Sequence, residues 1–456
     1  MVGPNAPAGA TGRGAIAAGH PLSAQAGADV LATGGNAVDA CLAAAFVAAV
    51  AEGPLTGPAG GGFMLVARPN EEPVVLDCFF AQPTQPFGVL EEVIVDFEGA
   101  GTQTFRVGEG SVAVPGLVAG LEEAHRRYCT IDWETLVEPA LALARTGRVP
   151  VDPPRAFLHG ILREILLRDD AGARVYGDPV HVATEELVAT LERVRDVGTE
   201  AVAELVPELA ADVRAYVVEA RTPLVAPLLG MSVLTPPPPS RGGSIVLEIL
   251  DSLAGLGEWS LADEARAVAT AYERSWQGAL TGTTHISVLD SDGTAVGLSS
   301  TLGSGSGIFR GGTQLNNMLG EVDVIGGGER KPGDRLPSMM APTVVLESGR
   351  PRLVLGSAGS VRLAGAIAQV AWRVVNGVPV ADAIDAPRLH AEGTTLHLEG
   401  GWSEDAVAGL PSSWNVVRWE ALNLYFGGVQ AVVRGPDGAS DAAGDPRRGG
   451  VGVVVP

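Results

Sequence analysis

Lysine is almost missing from this chain: Lys331 is the single one among 456 residues. A glycine-rich phosphate loop ending in lysine is thereby excluded, since Lys331-Pro332 has no such setting, and a pyridoxal Schiff base is disfavoured. Cysteine is nearly as rare. Cys41, Cys78 and Cys129 are odd in number and lack metal-ligand spacing, so no disulfide framework is implied. The seven histidines are scattered with no pair at ligand spacing, and neither metal nor cofactor is expected. No apolar run approaches the length of a membrane span; residues 42–50 are Ala-rich and short and read as a buried helix. Residues 1–14 are small and polar without the apolar core of a signal segment, which gives a soluble cytoplasmic protein as the expectation. No Gly-x-Ser-x-Gly occurs, so a serine-hydrolase elbow does not compete.

Acidic residues are plentiful. Asp and Glu total 53 against 31 Lys and Arg, a net charge of −22. Such a surface repels nucleic acid and anionic membranes, leaving a small molecule as the expected partner. The chain is 46% hydrophobic but only 5% aromatic, with 61 glycines. That composition suits closely packed helices and strands, with loops in which backbone comes near a ligand.

Along the chain, Pro21-Leu22-Ser23 opens a helix to Ala32 that Gly34-Gly35 closes, and Asn36 caps a second through about Val50. Gly60-Gly61-Gly62 precedes a strand over 63–67, and a second strand follows over 74–77. Val114-Pro115-Gly116 begins a helix running toward Arg127, with proline in its first turn. From Asp152 to about Ala271 the pattern is helical and acidic, interrupted by a rigid surface connection at 236–239. Hairpins follow behind Thr283, around Gly349 and at Asp437-Gly438, with an apolar helix over 361–375 between them. Hairpins interleaved with helices predict a layered α+β domain, helices over two stacked sheets. No repeat or linker divides it.

The most informative stretch is Thr283-Thr284-His285-Ile286-Ser287-Val288-Leu289-Asp290, with Gly282 before it and the turn Ser291-Asp292-Gly293 after it. It reads as the first strand of a hairpin. A threonine heading a central strand, behind a small residue, suits a nucleophile released by self-cleavage. Its new α-amine then serves as the base for its own hydroxyl. Gly282 reaches backbone conformations closed to other residues, so a strained, attackable carbonyl fits there.

The chain resembles the γ-glutamyltranspeptidases, a family of N-terminal-nucleophile hydrolases. The resemblance runs from about Gly14 to Gly450 and rests on motifs in order. These are Gly34-Gly35-Asn36-Ala37-Val38-Asp39-Ala40, Gly60-Gly61-Gly62-Phe63, Val114-Pro115-Gly116 and Trp133…Pro139-Ala140. Then come Thr283-Thr284-His285, Leu315-Asn316-Asn317, Gly356-Ser357-Ala358-Gly359-Ser360-Val361-Arg362, Ala386-Pro387-Arg388 and Asp445-Pro446-Arg447-Arg448-Gly449-Gly450.

The resemblance implies a four-layer αββα sandwich, one compact domain from a self-cleaved precursor. The cut would fall between Gly282 and Thr283, giving a large segment 1–282 and a small segment 283–456 that stay together as a heterodimer. It also implies Thr283 as nucleophile and Thr301 as the threonine that hydrogen-bonds it. The backbone amides of Gly359 and Ser360 would form the oxyanion site. Gly303-Ser304-Gly305-Ser306-Gly307, with no lysine after it, is expected to be a flexible loop beside the site.

The substrate shell departs from the family pattern. In Asp77-Cys78-Phe79, Phe79 stands where the family's carboxylate-anchoring arginine belongs. Gly303 replaces an asparagine, Met318 and Glu321 align with the amine-holding pair, and of two serines Ser338 remains while the other is Met339. A buried carboxylate without a cation is strongly unfavourable. The expected activity is therefore that of an amide hydrolase or acylase on a small acyl substrate other than an ordinary γ-glutamyl compound. The alternatives are carbon–carbon bond cleavage in an antibiotic pathway, as in relatives making alkyl-proline units of lincosamides and pyrrolobenzodiazepines, ordinary γ-glutamyl transfer, and an inactive scaffold.

Overall fold

The computed structural model describes residues 13–96, 102–177, 181–256, 259–273, 282–321 and 330–456. Two sheets stack face to face. The first has seven strands among the described residues, in the spatial order Val451–Val455, Gly14–Ala18, Gly282–Asp290, Ala295–Gly303, Gly61–Ala67, Val74–Cys78 and Glu219–Arg221. All its pairings are antiparallel. The second has six, in the order Ser440–Gly444, Gly428–Arg434, Arg350–Ala358, Thr343–Glu347, Met231–Thr235 and Leu224–Leu228.

Side-chain alternation sorts the layers. On Gly282–Asp290, Ile286 and Val288 face outward into one core with the helices Pro21–Ala32 and Ala37–Ala51. Leu289 faces the other core, shared with Val344, Val354 and Val432 of the second sheet. That core continues to the helices Gly242–Ala254, Leu261–Glu273 and Leu363–Val375 on the far side. Helices over two stacked sheets is the αββα sandwich expected.

The helix Ala37–Ala51 is the main brace of the first sheet. It is buried all round, and its N-terminus is a reciprocal cap: Asn36 accepts from the amides of Val38 and Asp39, while Asp39 accepts from that of Asn36. Such caps contribute about 1 kcal/mol. The amide of Ala37 donates to Asp290, the turn residue of the central hairpin, at 2.9 Å. Helix start and hairpin turn are thus tied together at one end of the sheet. The helix ends at Glu52 at the other end, where Thr283 sits.

Four expectations need correction. Residues 219–235 are not helical but contribute three strands, and Met231–Thr235 pairs with Thr343–Glu347 inside the second sheet. Its Val233 and Leu234 are core residues, so tertiary burial decides a stretch too short and proline-broken to show a strand period. The 236–239 run is no surface connection throughout: Pro236 is buried, and the run feeds this strand toward the helix Gly242–Ala254. Pro115 lies ahead of the helix Leu117–Tyr128, whose cap is Gly116. Residues 303–307 are buried and pinned rather than free, because the amides of Ser304 and Gly305 donate to Asn317 and that of Ser306 to Leu315.

Candidate active site

Thr283 is 1% exposed and Thr301 3%, on neighbouring strands and on the face between the sheets. The ladder runs Ser299↔His285 and Ser300↔Thr284, breaks, and resumes at Gly303↔Gly282. Within the break Thr301 and Leu302 oppose the single residue Thr283, which is a β-bulge, a device that re-aims side chains. The Thr301 hydroxyl donates to the carbonyl of Gly282, the peptide bond expected to be cut, and accepts from the amide of Gly303 at 2.8 Å. Gly282 has no room for a side chain: a Cβ there would stand 2.6 Å from the Gly303 carbonyl.

Below the threonine, His285 is held on both nitrogens, Nδ1 by Ser299 at 2.8 Å and Nε2 by Ser287 at 2.9 Å. Burial lowers its pKa to about 3, so the ring is neutral. Ser287 in turn donates to the carbonyl of Gln430 on the second sheet. Gly356 lies flat against this imidazole, a Cβ there falling 2.3 Å from the ring. The strand Arg350–Ala358 then runs into the glycine turn. Gly359 (φ 128°) and Ser360 (φ 60°) both take positive φ before the chain enters the helix Leu363–Val375. The turn closes on Gly427, whose Cα would stand 2.7 Å from a Cβ on Gly359. A non-glycine residue at positive φ is a strained position, and such positions concentrate at sites.

The outer face carries a second set of groups. Thr284 donates to the Glu52 carboxylate at 2.8 Å, and Ser23 approaches its other oxygen at 3.5 Å. Burial raises the Glu52 pKa, with Arg155 opposing. Glu52 was illegible in the sequence because 232 residues separate it from Thr284. Arg362 and Arg448 also lie at the turn; both belong to motifs in which no role attached to them.

The substrate-shell candidates fall into three places. Gly303, Met318 and Glu321 meet: a Cβ on Gly303 would stand 3.1 Å from the Met318 sulfur and 3.0 Å from a Glu321 oxygen. That oxygen accepts from the Ser304 hydroxyl at 3.0 Å, and Asn317 binds the same serine. Phe79 is fully buried, stacked on Phe63 at 5.4 Å and edge-on to Phe80 at 5.0 Å. The Phe80 ring covers Gly61, the cross-strand partner of Thr301. Ser338 accepts from the Met340 amide, and its carbonyl accepts from Arg241 at the start of the helix Gly242–Ala254. Half-buried Met339 packs there against Gly242. Asp77, two residues before Phe79, is paired with Arg221 at 2.8 Å and Arg335 at 3.5 Å.

Two stacked sheets between helices, with a buried threonine heading a central strand, define an N-terminal-nucleophile-hydrolase sandwich. Comparison with known proteins agrees. The family model for Gamma-glutamyltranspeptidase matches residues 23–202 and 260–455, and the chain belongs to that family of self-processing hydrolases and transferases. It is 28% identical to the Glutathione hydrolase proenzyme of Escherichia coli (strain K12), covering 95% of this chain and 90% of that one. It is likewise 28% identical to the Acylase ACY 1 proenzyme of Pseudomonas sp. (strain V22), covering 98% and 94%. The crystal structure of cephalosporin acylase from Bacillus halodurans superposes with a TM-score of 0.81 at 20% identity, covering 99% and 97%. No metal-ligating cluster and no helix long and apolar enough to cross a membrane occurs among the described residues.

Proposed function

We propose that this chain is a self-processing acylase that uses Thr283 as its nucleophile and takes a substrate other than an ordinary γ-glutamyl amide. The observation that carries the reading is the hydrogen bond from Thr301 to the Gly282 carbonyl. A donor on that oxygen is placed for negative charge to develop there when the Thr283 hydroxyl attacks the carbonyl carbon. The acyl group passes from nitrogen to oxygen, water hydrolyses the resulting ester, and segments 1–282 and 283–456 separate covalently while remaining folded together. The freed α-amine of Thr283 then takes the proton of its own hydroxyl as that oxygen attacks a substrate amide. The substrate's amine leaves with a proton, and water releases the acid.

Thr301 orients the nucleophile, and the amides of Gly359 and Ser360 hold the tetrahedral oxyanion, a donor of this kind being worth about 3 kcal/mol. Two relatives named as acylases support amide hydrolysis as the reaction class. Phe79 and Phe80 in an apolar core, and Met318 beside Gly303, make the surroundings less suited to a glutamyl α-carboxylate than the family pattern.

The test is a substrate pair. γ-Glutamyl-p-nitroanilide should be turned over two to four decades more slowly than simple acyl p-nitroanilides, since an unpaired buried carboxylate costs roughly 3–5 kcal/mol. Equal or faster turnover of the glutamyl anilide would overturn the substrate assignment.

A further inference from the structure

Two arginines flank the glycine turn with donors unspent. Arg362 is 5% exposed; its Nε donates to the Tyr425 carbonyl, and its guanidinium lies 4.0 Å from the Tyr425 ring centre. Its Nη2 has no hydrogen-bond partner among the described residues. Arg448 lays its stem on Gly428, and its Nη2 would stand 3.7 Å from a Cβ on Gly359. That nitrogen donates to the Leu424 carbonyl at 3.2 Å, while Nε has no partner among the described residues. Burial, and then the like charge of Arg362, push the Arg448 guanidinium down to about 10.

The acids nearby attract the two arginines through space but spend their hydrogen bonds and ion pairs on other groups. Glu52 takes Thr284, Asp445 takes Arg388 at 2.6 Å and Arg447 at 3.2 Å, and Glu392 takes His390 and the Tyr425 hydroxyl. Two adjacent cations with open N–H groups are therefore left in a chain of net charge −22. Like charges held together out of water are costly unless an anion joins them. A planar carboxylate matches guanidinium donors in shape and charge.

We propose that Arg362 and Arg448 form a carboxylate-binding subsite beside the glycine turn, so that the substrate carries a carboxylate close to its scissile amide. This rests on the reading of that turn as the oxyanion site. It relocates the anchoring cation from position 79 to the opposite wall, which excludes a glutamyl donor while retaining an acidic substrate. The carboxylate belongs either to the acyl group or to the departing amine.

Calorimetric binding to the purified, processed protein separates these sources. Glutarate probes the acyl side and 3-aminobenzoate the amine side, with glutaramide and aniline as neutral controls. One carboxylate should bind about tenfold or more tighter than its control, with affinity that falls as salt is raised. Arg448→Gln, at a partly exposed position, should remove that preference without changing the melting temperature. Arg362→Lys keeps the charge but loses the fork, and should weaken binding less. Carboxylates binding no better than the controls, or a preference intact in Arg448→Gln, would overturn the subsite. Failure of the acylase reading looks different: carboxylate binding would persist with no anilide hydrolysed.

Discussion

At the scale of single residues, the proposed mechanism gives one hydroxyl two stages. Thr301 donates to the Gly282 carbonyl, and after the proposed cleavage the same oxygen would orient Thr283. Thr301→Val keeps the shape and removes the donor, so both self-cleavage and turnover should fall at least about tenfold while the melting temperature holds, consistent with one hydrogen bond to developing charge. Densitometry of the uncut band and steady-state rates read the two effects separately, and unchanged values in both would reduce Thr301 to a structural role. His285 gives a pH prediction. Its folded pKa is about 3 against about 6.5 for a free histidine, so the unfolded chain binds the extra proton between those values. The stability of the wild type relative to His285→Gln should therefore be constant above about pH 6.5 and decline as pH falls toward 3. The slope is at most about 1.4 kcal/mol per pH unit. Denaturant melts of both proteins across that range test the sign, and a gap widening in acid would contradict it.

Between residues and the whole stand the elements, where glycine placement decides how close the two sheets come. Gly356 faces His285 with ring atoms 2.3–2.7 Å from where a Cβ would be, and that ring is fixed at both nitrogens. Gly356→Ala should destabilise the fold by roughly 1–3 kcal/mol and slow self-cleavage, because the strand carrying the glycine turn must back away. Gly160→Ala, in the helix Pro153–Ile161 with no other described residue within 4 Å of the added Cβ, is the control and should be neutral or stabilising by up to about 1 kcal/mol. A thermal melt that ranks the two the other way defeats the argument. The elements readable from sequence are those whose signals are local. The Asn36 cap, the hairpin turn at Asp290–Gly293 and the apolar run into Asn376-Gly377 each carry their boundary within a few residues. Strand Met231–Thr235 carries none: five residues, hemmed by Gly230 and prolines, owe their state to Thr343–Glu347 beside them. The site divides the same way. Thr283 and the glycine turn show as motifs, whereas Glu52 behind Thr284 and Arg448 behind Gly359 depend on chain crossings that no spacing encodes.

At the scale of the molecule, the proposed cut falls inside the first sheet rather than in a loop between bodies. The strand that would begin at Thr283 lies between Gly14–Ala18 and Ala295–Gly303, one strand from the large segment and one from the small. Such a cut would free a chain end without freeing a domain, because residues from both sides of it line each of the two main hydrophobic cores. Under denaturing electrophoresis the wild type should resolve into fragments of about 29 and 18 kDa, by residue count at the mean residue mass. Under native gel filtration the pair should elute as one particle with the volume of the uncut chain. N-terminal sequencing of the smaller band should read Thr-Thr-His. Thr283→Ala removes both the attacking oxygen and the route to a new amine, so it should persist as one inactive chain that melts cooperatively. Fragments that drift apart on gel filtration would contradict the shared core, and a Thr283→Ala chain that still splits at the same bond would place the nucleophile elsewhere.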